Sequence, residues 1–250
     1  MISAAYFIGE HEPMDDRKNE FDQPIGALIP GWSARPRPQR DTLRGRYCRL
    51  EPVVVDLHAA DLYAAYMDAP DDRDWTYLFA ERPRTSALFR EYLAGLAASE
   101  DPLHYVIVDE STGKPVGTAA LMRIEPVHGV IEVGSIAFSP RLKRTRAGTE
   151  AMYLLMRLVF EQLGYRRYEW KCDCLNAASR AAAARYGFTF EGIFRRAIVY
   201  KGRSRDTAWY SVVAEEWPRL RSAFEAWLSP DNFDDAGRQR RPLSPARGSP

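Results

Sequence analysis

What this chain has little of narrows it first. Three cysteines in 250 residues, Cys48, Cys172 and Cys174, are too few and too oddly placed for a secreted disulfide framework. The Cys172-x-Cys174 pair has neither a second pair nor a nearby histidine to complete a tetrahedral metal site, so it reads as two small residues on one strand face. No metal is expected. No run approaches the ~20 apolar residues of a membrane span. The start, MISAAYFIGEHEPMDD, lacks the basic and then apolar regions of a secretory signal, so a reducing cytoplasm is the expected compartment. Neither sign of charge dominates, since 35 basic against 34 acidic residues leave +1. No global field draws the molecule onto nucleic acid or an acidic membrane, and any basic site must be local. The glycine-rich phosphate loops of nucleotide-binding proteins, Gly-x-x-x-x-Gly-Lys-Ser/Thr and Gly-x-Gly-x-x-Gly, are also missing.

What is there is a soluble globular composition, 46% hydrophobic and 28% charged, ample for a sizeable core. Residues 1–40, with Pro13, Pro24, Pro30, Pro36 and Pro38, show no sustained period and read as an irregular arm. Residues 229–250, rich in Pro, Gly, Arg, Asp and Ser, read as a disordered tail. Residues 41–228 between them carry the mixed pattern of an α/β domain. Strands are expected at 46–54, 103–109, 116–124, 130–138, 168–174, near 188–200 and at 206–213. Helices are expected after Asp56 as N-cap, from Thr85 or Ser86, across 177–186, and around Trp217, Leu220, Phe224 and Trp227. The cleanest helix places Met152, Leu155, Met156, Val159, Phe160 and Leu163 on one face and closes at Gly164.

Chemistry concentrates where the 130–138 strand runs into that helix. The connection Arg141-Leu-Lys-Arg-Thr-Arg146 holds four cations in six residues. The first helical turn after it presents N–H groups without intrahelical partners, together with the positive end of the helix dipole. Lys143, Arg144 and Arg146 beside those groups make a phosphate or pyrophosphate cradle, although a solvated basic loop reads equally well from this segment alone. Further on, Asn176-Ala-Ala-Ser179 opens a short Ala-rich helix that ends at Gly187-Phe188.

Taken in order, these segments resemble the GNAT superfamily of acyl-CoA transferases, and more narrowly its RimJ/RimL-like branch of ribosomal-protein and amine acetyltransferases, over roughly Arg44 to Pro218. In that family a Gln/Arg-x-x-Gly-x-Gly/Ala loop binds the CoA pyrophosphate through backbone N–H groups. Its counterpart here is Lys143-Arg144-Thr145-Arg146-Ala147-Gly148, followed by Thr149-Glu150-Ala151. The resemblance implies a GNAT fold, a mixed and mostly antiparallel twisted sheet of about seven strands flanked by helices and splayed between its fourth and fifth strands. It implies acetyl-CoA as cosubstrate and a primary amine, a protein N-terminus or a small molecule, as acceptor, in a monomer or homodimer. Main-chain N–H groups among Ile136, Ala137 and Phe138 would then bond the thioester oxygen. Asn176 would border the pantetheine, and Ser179 the departing sulfur.

Two departures stand out. Arg146 replaces a family glycine, so a positive φ there would be strained. Ala183 stands where many relatives carry an acid tyrosine, and Tyr186 falls on a different helix face, roughly 300° around. For the base, Glu132 interrupts an apolar strand on the face of Gly134, Ile136 and Phe138, with a salt bridge to a neighbouring strand as the alternative role. Asp173 is the reserve. Trp75, Tyr77 and His128 are candidates for the acceptor wall, with core packing the plainer role for the two aromatics and a turn for His128. Lys201-Gly-Arg203-Ser-Arg205-Asp206 reads as a charged hairpin turn, an additional anion-binding role being the alternative. The rival to an enzyme is a non-catalytic module of the same fold that binds or senses acyl-CoA.

Overall fold

The computed structural model describes residues 17–243. The chain divides into two units at Ser33. In the first, residues 17–33 contain a tight turn in which the Asn19 side chain accepts the N–H groups of Phe21 and Gln23, and Lys18 bridges to Pro24.

The second unit is built on one sheet, ordered β1-β2-β3-β4-β5-β6-β8-β7. Its strands are β1 (Leu43–Arg44), β2 (Cys48–Pro52), β3 (Leu103–Asp109), β4 (Pro115–Glu125), β5 (Val130–Phe138), β6 (Arg167–Asp173), β7 (Thr189–Tyr200) and β8 (Arg203–Val213). This is the expected mixed α/β architecture. The two-residue β1 makes eight strands, so the expected parting falls between β5 and β6. Every neighbouring pair is antiparallel except β5–β6, which is parallel. Helices α1 (Val55–Met67), α2 (Ser86–Ala98), α3 (Arg146–Arg157), α4 (Ala177–Arg185) and α5 (Trp217–Leu228) flank it.

Period-two alternation sends each strand's residues to two cores. Val106 and Val108 pack under Leu62, Tyr66, Phe89 and Leu93 of α1 and α2. On the other face, Leu121, Ile131, Val133 and Tyr168 meet Leu155, Val159 and Phe224 of α3 and its neighbours. Asp56 is not the N-cap of α1. Val54 holds that position, its N–H bonded to His58 Nδ1, and Asp56 lies in the first turn, where a negative charge suits the helix dipole. Thr85 does cap α2. α3 starts before its apolar stripe because Thr145 caps it through Gly148 N–H, and it runs on through a π-helical turn, Leu158–Gln162, toward Gly164 at φ +67°.

Glu150 fixes α3 to the sheet. Its buried carboxylate accepts the N–H groups of Arg46, Tyr47 and Cys48 at 2.8, 2.6 and 2.8 Å. A Cβ on Gly45 would collide with that carboxylate, so the β1–β2 turn needs glycine there. The expected arm also contributes to this unit. Tyr105 donates to Gln39 O, Arg35 N–H to Pro126 O and Arg40 to Ser99 O. Residues 229–243, expected as a tail without structure, carry a helical turn at Pro230–Asn232 and a Phe233–Gln239 bridge, and they bury Leu243. The buried Asn232 amide binds both Trp227 O and Arg241 O, and this holds the segment to α5. Residues 1–16 and 244–250 of the expected arm and tail lie outside the described residues.

Candidate functional site

The site begins with a bulge. Ala120 pairs with Gly134 and Thr118 with Ala137, so two residues of β5, Ser135 and Ile136, oppose Ala119 alone. Ser135 sits at φ +48° to make this fold. The bend carries β5 away from β6, and their pairing stops at Val133–Trp170. Beyond it, Gly134 to Phe138 on one side and Lys171 to Asp173 on the other edge an open wedge. Gly134, Ser135, Ile136 and Phe138 are only half-buried in the middle of the sheet, as the sides of an opening should be. Ile136 and Phe138, offered for the oxyanion contact, both lie on this edge of the wedge.

The loop from β5 to α3 lies directly after this wedge. Arg141 pairs with Asp68 at 2.6 Å and Lys143 pairs with Asp74, so both cations are committed to the α1–α2 connection. Arg146 is not the residue in the left-handed region. It is the first residue of α3, and its guanidinium lies between the rings of Tyr47 and Phe233, at 4.9 and 4.7 Å. The positive φ, +60°, belongs to Arg144, which is exposed and has no ion pair among the described residues. Thr145 satisfies Gly148 N–H, which leaves the N–H groups of Arg144, Arg146 and Ala147 without a main-chain acceptor. Gly148 is required for close approach, since a Cβ there would stand 2.8 Å from Leu142 O and 3.2 Å from the Phe138 ring. Thr149 is buried and receives Arg185 of α4 at 3.2 Å. Two open cavities of about 310 and 520 Å³ flank Arg146, the second walled by Trp227, Phe233 and Gln239.

Asn176 and Ser179, offered for the pantetheine and the sulfur, lie at the start of α4 next to β6. Asn176 caps α4 by accepting Ser179 N–H at 3.0 Å. Ser179 Oγ accepts the Trp170 indole N–H at 2.9 Å, which leaves its own proton to donate. Ala183, at the position of the family tyrosine, is fully buried. Tyr186 is buried against Trp170 and Phe224, and that burial raises its pKa.

The opposite face, toward α1 and α2, is ionic. Glu132, 2% exposed, accepts Arg123 at 2.8 and 2.7 Å and Lys171 at 3.1 Å. The cross-strand salt bridge held open as the alternative is therefore formed, and it leaves Glu132 beside the wedge, against Gly134. Burial raises its pKa despite the two cations, which pull the other way. Lys171 also pairs with Glu169 at 2.7 Å and lies 3.8 Å over the Trp209 ring. Asp173 is buried, accepting Leu175 N–H and the Tyr200 hydroxyl, each at 2.9 Å. That bond and burial push Tyr200 up to about 12, burial contributing most.

Of the three candidates for the acceptor wall, Tyr77 bridges two loops beside the wedge. Its hydroxyl donates to Leu175 O at 3.2 Å, spanning from the α1–α2 connection to the β6–α4 loop. The Trp75 indole is a core group instead, edge-on to Tyr66 and Tyr92, and only its carbonyl reaches outward to Lys201 Nζ at 2.8 Å. His128 is in the β4–β5 turn. Arg123, Lys171 and Tyr200 have no place in the sequence reading, and Arg205 enters it only within the charged segment Lys201-Gly-Arg203-Ser-Arg205-Asp206, with anion binding as the alternative role. The alternation Arg167, Glu169, Lys171, Asp173 along one strand was the available signal for a charged face. Among the described residues no cluster of His, Cys, Asp and Glu could hold a metal, and no helix is long and apolar enough to cross a membrane.

Comparison with known proteins follows this geometry. A family model described as an acetyltransferase (GNAT) domain matches residues 48–189. Comparison with curated proteins gave no match. The solved structure of a GCN5-related N-acetyltransferase from Brucella melitensis superposes with a TM-score of 0.84 at 49% identity, covering 86% of this chain and 97% of its own. A protein from Chromobacterium violaceum, described as a probable acetyltransferase of the GNAT family, gives 0.72 at 38% identity, over 78% and 98%. An acetyl transferase from Salmonella typhimurium, described as modifying the N-terminal serine of a 50S ribosomal subunit protein, gives 0.58 at 19% over 69% and 99%, a likeness of fold alone. A family model over more than half of the chain and a relative that shares almost half of its residues agree with the bulged, parted sheet, and the chain belongs to the GNAT family of acetyltransferases.

Proposed function

We propose that this protein transfers acetyl from acetyl-CoA to a primary amine, by direct attack of the neutral amine on the thioester. The observation that carries the reading is the parting of β5 from β6 after Val133–Trp170, with an anion-ready helix start directly behind it. Pantetheine would lie in the wedge as a strand-like group, and its pyrophosphate would meet the free N–H groups of Arg144, Arg146 and Ala147 and the Arg144 guanidinium. Main-chain N–H groups at Ile136 and Phe138 would polarise the thioester carbonyl. Glu132 would take the amine proton, and burial, by raising its pKa, makes it a stronger base than an exposed glutamate. Ser179, its oxygen held by Trp170, would donate toward the departing sulfur. The RimJ/RimL-like branch, and with it a protein N-terminus as acceptor, has only the fold-level likeness to the Salmonella typhimurium protein behind it.

The test is a thermal shift with acetyl-CoA, followed by free-thiol release with a panel of amines. Acetyl-CoA at 100 times its Kd should add about 2.7 kcal/mol of stability. Turnover on any amine completes the case. Stabilisation without turnover selects the non-catalytic acyl-CoA-sensing module, a reading that the alanine at position 183 keeps open. No stabilisation overturns both.

A further inference from the structure

The ionic face contains one cation that no anion answers. Arg205 is 6% exposed, and among the described residues no carboxylate pairs with it. Its guanidinium lies beside the ring pair of Phe79, from the α1–α2 connection, and Tyr200, 5.7 and 5.8 Å from centroids that are themselves 5.6 Å apart. Its Nε–H has no hydrogen-bond partner. The next two residues on the same face of β8 repeat the pattern, for Thr207 Oγ1 and Trp209 Nε1 are also buried without partners. Three donors in a row left unpaired on one buried face are unusual, because such groups nearly always find a partner. The neighbouring carboxylate, Asp173, in register with Thr207, is turned to Leu175 N–H and the Tyr200 hydroxyl and makes no ion pair with Arg205.

A guanidinium packed against aromatic rings presents a planar fork that matches a planar carboxylate. Asp173 and Glu169 nearby disfavour a doubly charged phosphate and favour a single negative charge. On the same face, two strands over, β5 runs on past Glu132 to Ile136 and Phe138, which extend the β5–β6 register to about the level of Asp173 and Arg205, so the thioester where the amine would react lies across the wedge from the guanidinium. The two sides suit a molecule with an amine at one end and a carboxylate at the other. We propose that Arg205 is a binding residue for the acceptor's carboxylate, with Thr207 beside it, and that the acceptor is a free amino acid. This rests on the acetyltransferase reading above and narrows its substrate class.

The experiment measures thiol release from acetyl-CoA with free amino acids, their amides, their decarboxylated counterparts, and short peptides beginning with aspartate or glutamate. The expected result is turnover of a free amino acid with its amide and decarboxylated amine worse by about 10- to 100-fold in kcat/KM, the worth of a charge-assisted pair. Arg205→Gln erases that ratio and leaves the KM for acetyl-CoA unchanged. Arg205→Lys keeps the charge without the fork and falls between, which guards against a variant that merely misfolds. Amides used as well as acids, a ratio that survives in Arg205→Gln, or a preference for acidic peptides over free amino acids each overturns the proposal. A second readout needs no turnover: calorimetric titration of N-acetyl amino acids against their amides should show the same dependence on Arg205, and equal or absent binding of the acids overturns it. Acetyl-CoA stabilisation in the same samples reports separately on the parent reading.

Discussion

Arg144 is held at φ +60° in the loop before α3, where an L-residue with a Cβ is strained by roughly 1–2 kcal/mol. Arg144→Gly should therefore melt about 2–4 °C above Arg144→Ala, since roughly 1 kcal/mol separates them in a domain of this size. Both should bind acetyl-CoA about 3- to 10-fold more weakly at low salt, because both lose the same charge-assisted contact. Melting and calorimetry on the pair separate strain from charge. Glu132 gives the second prediction at this scale. Burial lifts its pKa above the ordinary carboxylate value, so the protonated, inactive form persists to higher pH than for an exposed glutamate. The kcat should thus fall on the acid side through a pKa above 4.5, and Glu132→Gln should lower kcat at pH 7 by about 10²-fold and abolish that limb. A profile unchanged in shape would leave Glu132 only its salt bridges to Arg123 and Lys171. The loop's composition and the lone glutamate in an apolar strand were legible in sequence. Which arginine takes the left-handed turn was not, because that is settled by where Thr145 caps the helix.

At the scale of elements, α3 depends on one carboxylate. Glu150 reads in sequence as part of a Thr-Glu-Ala helix opening, yet its work is to accept three main-chain N–H groups from the β1–β2 turn. Glu150→Ala would leave all three donors, one buried and two part-buried, short of a partner. It should cost about 3 kcal/mol or more, lowering Tm by roughly 6–12 °C in thermal melts. A loss below ~1 kcal/mol would mean the turn re-satisfies itself with water. Most elements were legible because their periods are clean: β3 and β5 fall on the expected residues, and Thr85 caps α2. The failures share a cause. Asp56 is a good N-cap residue, but His58 supplies the acceptor from four residues on. Trp75 was offered to the acceptor wall because aromatic residues serve both cores and pockets, and only the packing of Tyr66 and Tyr92 around it decides. Arg205 was folded into a hairpin turn that in fact occupies Tyr200–Arg203, with Lys201 and Gly202 both at positive φ.

For the molecule as a whole, the segment after α5 contributes to both stability and the cofactor end. Its composition reads as disordered, but Asn232, Phe233 and Leu243 pack back, and Phe233 closes one side of Arg146. Ending the chain at Leu228 should lower Tm by about 5 °C or more, since removing a buried leucine contact alone costs about 2 kcal/mol or more. It should also weaken acetyl-CoA binding by freeing Arg146. An unchanged melting temperature would show that the segment adds nothing.

The single parallel pair has a mechanical consequence. Four residue pairs, Val130–Arg167 to Val133–Trp170, are the only strand ladder among the described residues that joins β1–β5 to β6–β8. The sheet is therefore two plates riveted along a short seam at one end and free at the other. A strand-like guest lodged in the mouth would supply the absent rungs and turn a clothes-peg into a continuous slab, so that loading the enzyme and stiffening it would become one event.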